Sequence, residues 1–127
     1  MNRGITWAGM WITASEALNA GDFVNVHNSS GAKVRKADAA SAGKQADGFV
    51  LANVTSGQNA TIYLRGINNQ VSGLTAGEDY FLSATTPGGV QDAAPTANGQ
   101  VSQRLGMALS ATELAFTDGA PAISLVS

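Results

Sequence analysis

Turn-forming clusters cut this chain at short intervals, and that constrains its fold more than any other feature. Asn28-Ser29-Ser30-Gly31, Ser56-Gly57-Gln58-Asn59, Thr86-Pro87-Gly88-Gly89 and the Ala/Pro/Thr/Asn/Gly stretch at 92–99 leave only short runs between them. Those runs are rich in Val, Ile, Phe, Tyr and Thr, the residues that suit a pleated strand. No amphipathic helical pattern extends beyond about two turns. The expectation is an all-β fold, a small antiparallel barrel or sandwich of about eight short strands.

The runs can be placed one by one. Residues 22–27 form a strand with Val24 and Val26 on one face and Phe23 on the other, and 32–37 return as a hairpin. Residues 38–45 read as a loop or a single helical turn. The apolar run 48–54 reads as a buried strand. In 60–65, Ile62 and Leu64 alternate with Thr61, Tyr63 and Arg65. Strands follow at 79–83, 100–109, 113–116 and 122–126, and Val90 and Gln91 pair back on the strand at 79–83. The expected core includes Val24, Val26, Val50, Ile62, Leu64, Phe81, Leu105 and Leu109. The Pro-Gly-Gly turn requires positive φ at Gly88 or Gly89.

A chain of 127 residues fits one domain. Residues 1–15 form an N-terminal arm or first strand and 16–127 a single β domain. Both tryptophans lie in the first segment. Ile5, Trp7 and Trp11 share one face of an extended segment, and Met10 and Ile12 the other. Two readings fit: a first strand lying over its own core, or an arm that packs against another chain. The second makes Ile5, Trp7, Met10, Trp11 and Ile12 the candidate interface residues.

Few residue patterns here support chemistry. There is no cysteine, which removes disulfides, thiolate nucleophiles and thiolate metal sites. Charged residues make up 13% of the chain and the net charge is -2. The densest basic group, Lys33, Arg35 and Lys36, has Asp38 beside it, so no basic field favours nucleic acid. No apolar run approaches the ~20 residues of a membrane span, and residues 1–15 lack the pattern of a signal peptide. His27 is the sole histidine and sits at a turn. No His/Asp/Glu spacing suits a metal, so neither a metal nor another cofactor is expected. Glu78 and Asp79 are adjacent, and on a strand adjacent side chains face opposite ways, so they do not flank one bond as paired catalytic carboxylates do. The expectation is a protein without enzymatic activity. Asn28, Asn53 and Asn59 begin Asn-x-Ser/Thr sequons, which a chain rich in these residues contains by chance.

The order of the motifs resembles a β-rich module of tailed-bacteriophage virion proteins. The entry "AGDFV", the strand "ADGFVLANV", the turn and strand "GLTAGEDYFL" and the closing "RLGMALS" carry the resemblance, which spans residues 16–118. It is similar to capsid decoration (cement) proteins and to head-fibre appendages. The resemblance implies a structural role on the outer surface of the virion, the major capsid protein as partner, and in many members a homotrimer. The alternative it leaves is a head or tail fibre appendage that binds host-surface glycans. That alternative expects aromatic platforms in the loops, whereas the aromatics beyond the arm fall in expected strands and in the apolar run at Phe49.

Overall fold

The computed structural model describes residues 9–117 and 123–126. They form eleven strands and no helix: β1 (Met10–Thr13), β2 (Phe23–Asn28), β3 (Ala32–Lys36), β4 (Gly48–Phe49), β5 (Asn59–Ile62), β6 (Gly66–Asn68), β7 (Asp79–Leu82), β8 (Val90–Gln91), β9 (Val101–Ser110), β10 (Glu113–Phe116) and β11 (Ile123–Leu125). The chain is all-β. Its named strands pair antiparallel into three open sheets: β1-β5, β3-β2-β4, and β6-β10-β9-β7-β8 with β11 on β9. The sheets do not close into a barrel.

The three-stranded sheet is the middle layer, covered on both sides. Phe23 and Val24 are adjacent and both fully buried, and so are Phe49 and Val50. Adjacent strand residues face opposite ways, so each pair feeds two cores. Phe23 and Phe49 enter an aromatic core with Tyr80, Leu82, Leu105, Leu114 and Phe116 from the six-stranded sheet. Val24 and Val50 enter an aliphatic core with Ile12, Leu18, Val34, Ala60 and Ile62, closed by the β1-β5 sheet. Burial on both faces explains why 48–54 reads as a continuous apolar run rather than an alternation. Only Gly48 and Phe49 of that run form a named strand; Val50 bonds to Gly21 and Asp22, Val54 bridges to Leu18, and between them Ala52 and Asn53 turn out to solvent.

Within the aromatic core, the Phe23 ring meets Phe49 at 5.8 Å and Phe116 at 5.4 Å. Phe49 stacks on Tyr63 at 5.6 Å and meets Phe116 edge-on at 6.1 Å. All lie in the distance range of favourable ring pairs. The loop at 38–47 passes beside this core without forming a strand, and its backbone is satisfied partly by other backbone groups, at Asp38, Ala39 and Asp47, and partly by side-chain amides. Gln103, fully buried, accepts from the Ala46 N–H at 2.8 Å and donates to the Ala46 carbonyl at 2.9 Å. Asn25 donates to the Gln45 carbonyl at 2.9 Å and to Asp47, and its own carbonyl accepts from Arg35 Nε at 3.0 Å.

Four expected core residues, Val24, Val50, Ile62 and Leu105, are buried. The others correct the alternation pattern. Leu109 is 45% exposed because β9 carries two bulges. Tyr80 pairs with Gly106 and Phe81 with Arg104, which skips Leu105. Glu113 pairs with Ser110 and Leu114 with Ala108, which skips Leu109. An extra residue resets the two-residue period, so 101, 103 and 105 face inward, then 106 and 108. Leu64 is 41% exposed because β5 ends at Ile62 and the chain bends after Tyr63. Phe81 is half-buried, since Tyr80 and Leu82 are the inward residues of β7, and Val26 is half-buried near the end of β2.

Two glycines carry specific backbone duties. Gly88 adopts φ +79°, as the Pro-Gly-Gly turn requires, and a Cβ there would lie 2.8 Å from the Asp22 carboxyl. Its N–H donates to Ala37 at 2.7 Å and its carbonyl accepts from Phe23 at 2.9 Å, tying this turn to the middle sheet. At Gly106, a Cβ would collide with the Ala115 carbonyl, so β9 and β10 approach closely only because the residue is glycine.

Candidate interaction surface

The expected interface residues divide three ways. Ile5 and Trp7 lie outside the described residues. Ile12 is 5% exposed and belongs to the aliphatic core, with Met10 packed on the same side. Trp11 pairs with Thr61 across β1 and β5, on the opposite face, and is half-buried. The segment from Met10 is therefore a strand of its own chain: the register Met10–Ile62, Trp11–Thr61, Ile12–Ala60 and Thr13–Asn59 is continuous. Ile12 leaves almost no surface for a partner.

Exposed apolar side chains collect elsewhere, on the outer face of the six-stranded sheet. Ile67 on β6 is opposite Ala115 on β10, and Ala115 is opposite Met107 on β9. Ile67 is 49% exposed and Met107 42%, and Leu109, two residues along β9, shares their outward direction. The β9 bulges create this row, because without the phase reset Met107 and Leu109 would face the aromatic core. A contiguous apolar strip on a sheet face is the feature that interaction surfaces share. Beside it, Arg104 donates to Asp79 at 2.7 Å. That bond holds the Asp79 carboxyl below its ordinary range. Both groups are exposed, so solvent screens the pair and it adds little stability.

At 78–79 the Glu78 backbone and the Asp79 side chain make the contacts. Glu78 donates its N–H to Thr75 at 3.2 Å in a turn and accepts from the Ala108 N–H at 2.9 Å, while Asp79 turns to Arg104. The Tyr80 hydroxyl accepts from the Thr75 N–H at 2.9 Å and closes the same turn.

No protein-family model matches the chain, and no curated protein resembles it significantly.

One pairing was hidden in the sequence. Ser15 Oγ lies 2.9 Å from His27 Nε2. A serine hydrogen-bonded to a histidine is half of a nucleophilic triad. Among the described residues no carboxylate is hydrogen-bonded to the other ring nitrogen, since Glu16 accepts from the Lys36 N–H at 2.8 Å instead. Slight burial and the nearby Arg35 charge hold the His27 pKa below its ordinary value of 6.5. Ser15 also lies 3.3 Å from the Val34 carbonyl, so the arrangement fastens the end of β1 to the β2-β3 hairpin. Among the described residues no group of three His, Asp or Glu side chains is placed to hold a metal ion.

Asp22 and Asp47 are half-buried, and burial raises both pKa values above the ordinary 3.8. Lys36 lies 3.8 Å from Asp22, and Asp47 accepts from the Val26 N–H at 2.8 Å. In both cases burial outweighs these favourable partners.

Proposed function

We propose that this chain is a non-enzymatic structural subunit of a tailed-bacteriophage virion: a capsid cement protein that binds the outer shell and bridges neighbouring copies of the major capsid protein. The observation that carries the reading is the row Ile67, Met107 and Leu109, exposed on one sheet face and bordered by the Arg104–Asp79 ion pair. Such a face, multiplied over many copies, stabilises a shell by contributing contact area across its joints. Binding the assembled lattice and not free subunits shifts the equilibrium toward assembly. The motif order over residues 16–118 supports the virion setting. Homotrimer formation is the oligomeric state that the resemblance implies.

The test is co-sedimentation with emptied capsids of a phage that encodes this chain. The double substitution Met107→Glu and Leu109→Glu places two charges on an exposed face, so the fold survives. It should abolish decoration, or dissociate an oligomer seen by sedimentation of the wild-type chain. If the folded double variant decorates and sediments as wild type does, the row is not the interface and the reading fails.

A further inference from the structure

The β2-β3 hairpin carries a second surface, on a different sheet from the apolar row. Its strands alternate between two environments. Val24 and Val34 face the aliphatic core, so Asn25, His27, Lys33 and Arg35 share the opposite face. His27 is paired directly with Lys33, and Asn25 with Arg35. Phe23 begins this face in the aromatic core, and Asn25 continues it with its bond to the Gln45 carbonyl of the loop at 38–47. The hairpin end that follows is polar and basic.

Three cations gather here, and the nearby acids are engaged elsewhere. Arg35 is a fixed fork: Nε donates to Asn25 at 3.0 Å, and a terminal nitrogen donates to the Gly43 carbonyl at 3.4 Å. Lys33 Nζ donates to the Ser30 carbonyl at 3.1 Å. Lys44 follows Gly43, and its charge acts on His27 as those of Arg35 and Lys33 do. All three side chains are half-buried, so only their heads meet water. Lys36 turns to Asp22 on the other face, and Asp38 accepts from the Ala40 N–H at 2.9 Å. Asp47 accepts from Val26 and Asn25, and Glu16 from the Lys36 N–H. The ion pairs among the described residues are Lys36–Asp22 and Arg104–Asp79, so Lys33, Arg35 and Lys44 have no acid paired with them.

We propose that this face of the hairpin docks an acidic segment of a partner protein, with carboxylates seated on Lys33, Arg35 and Lys44. Arg35 keeps donors of its fork for a carboxylate, and Lys33 keeps two of its three. Lys33 and Arg35 stand two residues apart on one strand face, about 7 Å along it. Acidic residues at alternate positions of an extended segment have the same spacing, whereas a single small anion cannot sit on both at once. Nucleic acid is the poorer fit, since polyanion binding rests on many phosphate contacts and this chain has a net charge of -2. His27 adds a titration to the site. Slight burial, then Arg35, with Lys33 and Lys44 beside it, holds its pKa below 6.5, while Glu16 acts the other way. A docked carboxylate raises that pKa, so binding tightens as pH falls and His27 takes up its proton. The assignment does not depend on where the protein sits in a particle.

The test is a ¹H–¹⁵N NMR titration of the whole chain at low salt with a capped peptide of alternating glutamate and threonine. The same peptide with glutamine for glutamate and a thymidine oligonucleotide serve as comparisons. The glutamate peptide should give saturable shifts at the Lys33, Arg35 and Lys44 amides and at the Arg35 Nε–H, lost at high salt. Lys33→Gln with Lys44→Gln, which leaves Arg35 and its bonds in place, should weaken binding about three- to tenfold. Wild-type binding should tighten between about pH 7.5 and about pH 5.5, and His27→Gln should remove that trend. The proposal is overturned if the glutamate peptide gives no saturable shifts, if the glutamine peptide reproduces them, or if they map elsewhere. It also fails if the oligonucleotide binds the same residues more tightly, or if the double variant binds as the wild type does.

Discussion

The aromatic and aliphatic cores share one sheet but are closed in different ways. The aromatic core is covered by the six-stranded sheet and is held by buried amides such as Gln103 that stand in for missing strand partners. The aliphatic core is covered by the two-stranded sheet β1-β5, half of which comes from the first residues of the described chain. One is sealed by polar clamps and ring contacts, the other by a short strand and apolar burial. The contrast shows why an N-terminal segment that looks spare is needed: without β1, Ile12 is lost from the aliphatic core and β5 is left without its partner strand.

If the cores are one cooperative unit, damage on either side should lower a single transition. Phe49→Ala, which removes a ring in contact with three others, should cost about 3–5 kcal/mol, and Ile62→Ala on the other side about 2–5 kcal/mol. Chemical denaturation followed by both fluorescence and circular dichroism reads this. Separate transitions in Ile62→Ala would show that the cores melt independently.

Within the aromatic side, the bulges sharpen the comparison between neighbours of the same type. Leu105→Ala should cost about 2–5 kcal/mol and Leu109→Ala less than about 1 kcal/mol, because only Leu105 faces inward. Equal costs would contradict the phase reset. Gly88→Val strains the turn that ties β2 to the six-stranded side. It should cost about 1–3 kcal/mol, through its positive φ and the crowded Asp22 carboxyl. Gly89→Ala, at ordinary φ, should cost less, and the reverse order of melting temperatures would misplace the strain.

The smallest effect concerns pH. Burial raises the folded pKa of Asp47 above 3.8, so ionising it costs stability. Its favourable contribution is complete below 3.8 and is lost as pH rises through the folded value. Asp47→Asn keeps a carbonyl for the Val26 N–H and removes the titration. Melting temperature across the acidic range should therefore depend on pH less favourably toward acid in the variant than in the wild type. Identical profiles would show that Asp47 titrates as an ordinary exposed acid.

Much of this was legible in the sequence, in places that physical pattern explains. The β2-β3 hairpin, the Pro-Gly-Gly turn and β10 follow from turn chemistry and strand propensity. What failed was phase. Leu109 was misplaced because a bulge is set by pairing with β7 and β10, and the local residues do not announce it. Phe81 and Leu64 were misplaced because alternation alone does not say which face is inside or where a strand bends. β6 was missed, since Gly66-Ile67-Asn68 carries little strand signal and depends on β10 for pairing. The candidate surfaces were harder still. Ile67 and Met107 are forty positions apart and meet only through Ala115, and Ser15 reaches His27 only because β1 and β2 share the aliphatic core.

A sheet covered on both faces also sets the tempo of the molecule. Water reaches the amides of Val24 and Phe49 only when one of the two covers lifts, and the covers pack on adjacent residues of the same strands. Their hydrogens should therefore exchange last, at the rate of whole-molecule opening, while the short margins at β8 and β11 exchange through local fraying. The protein would then have one slow clock at its centre and several fast ones around its rim.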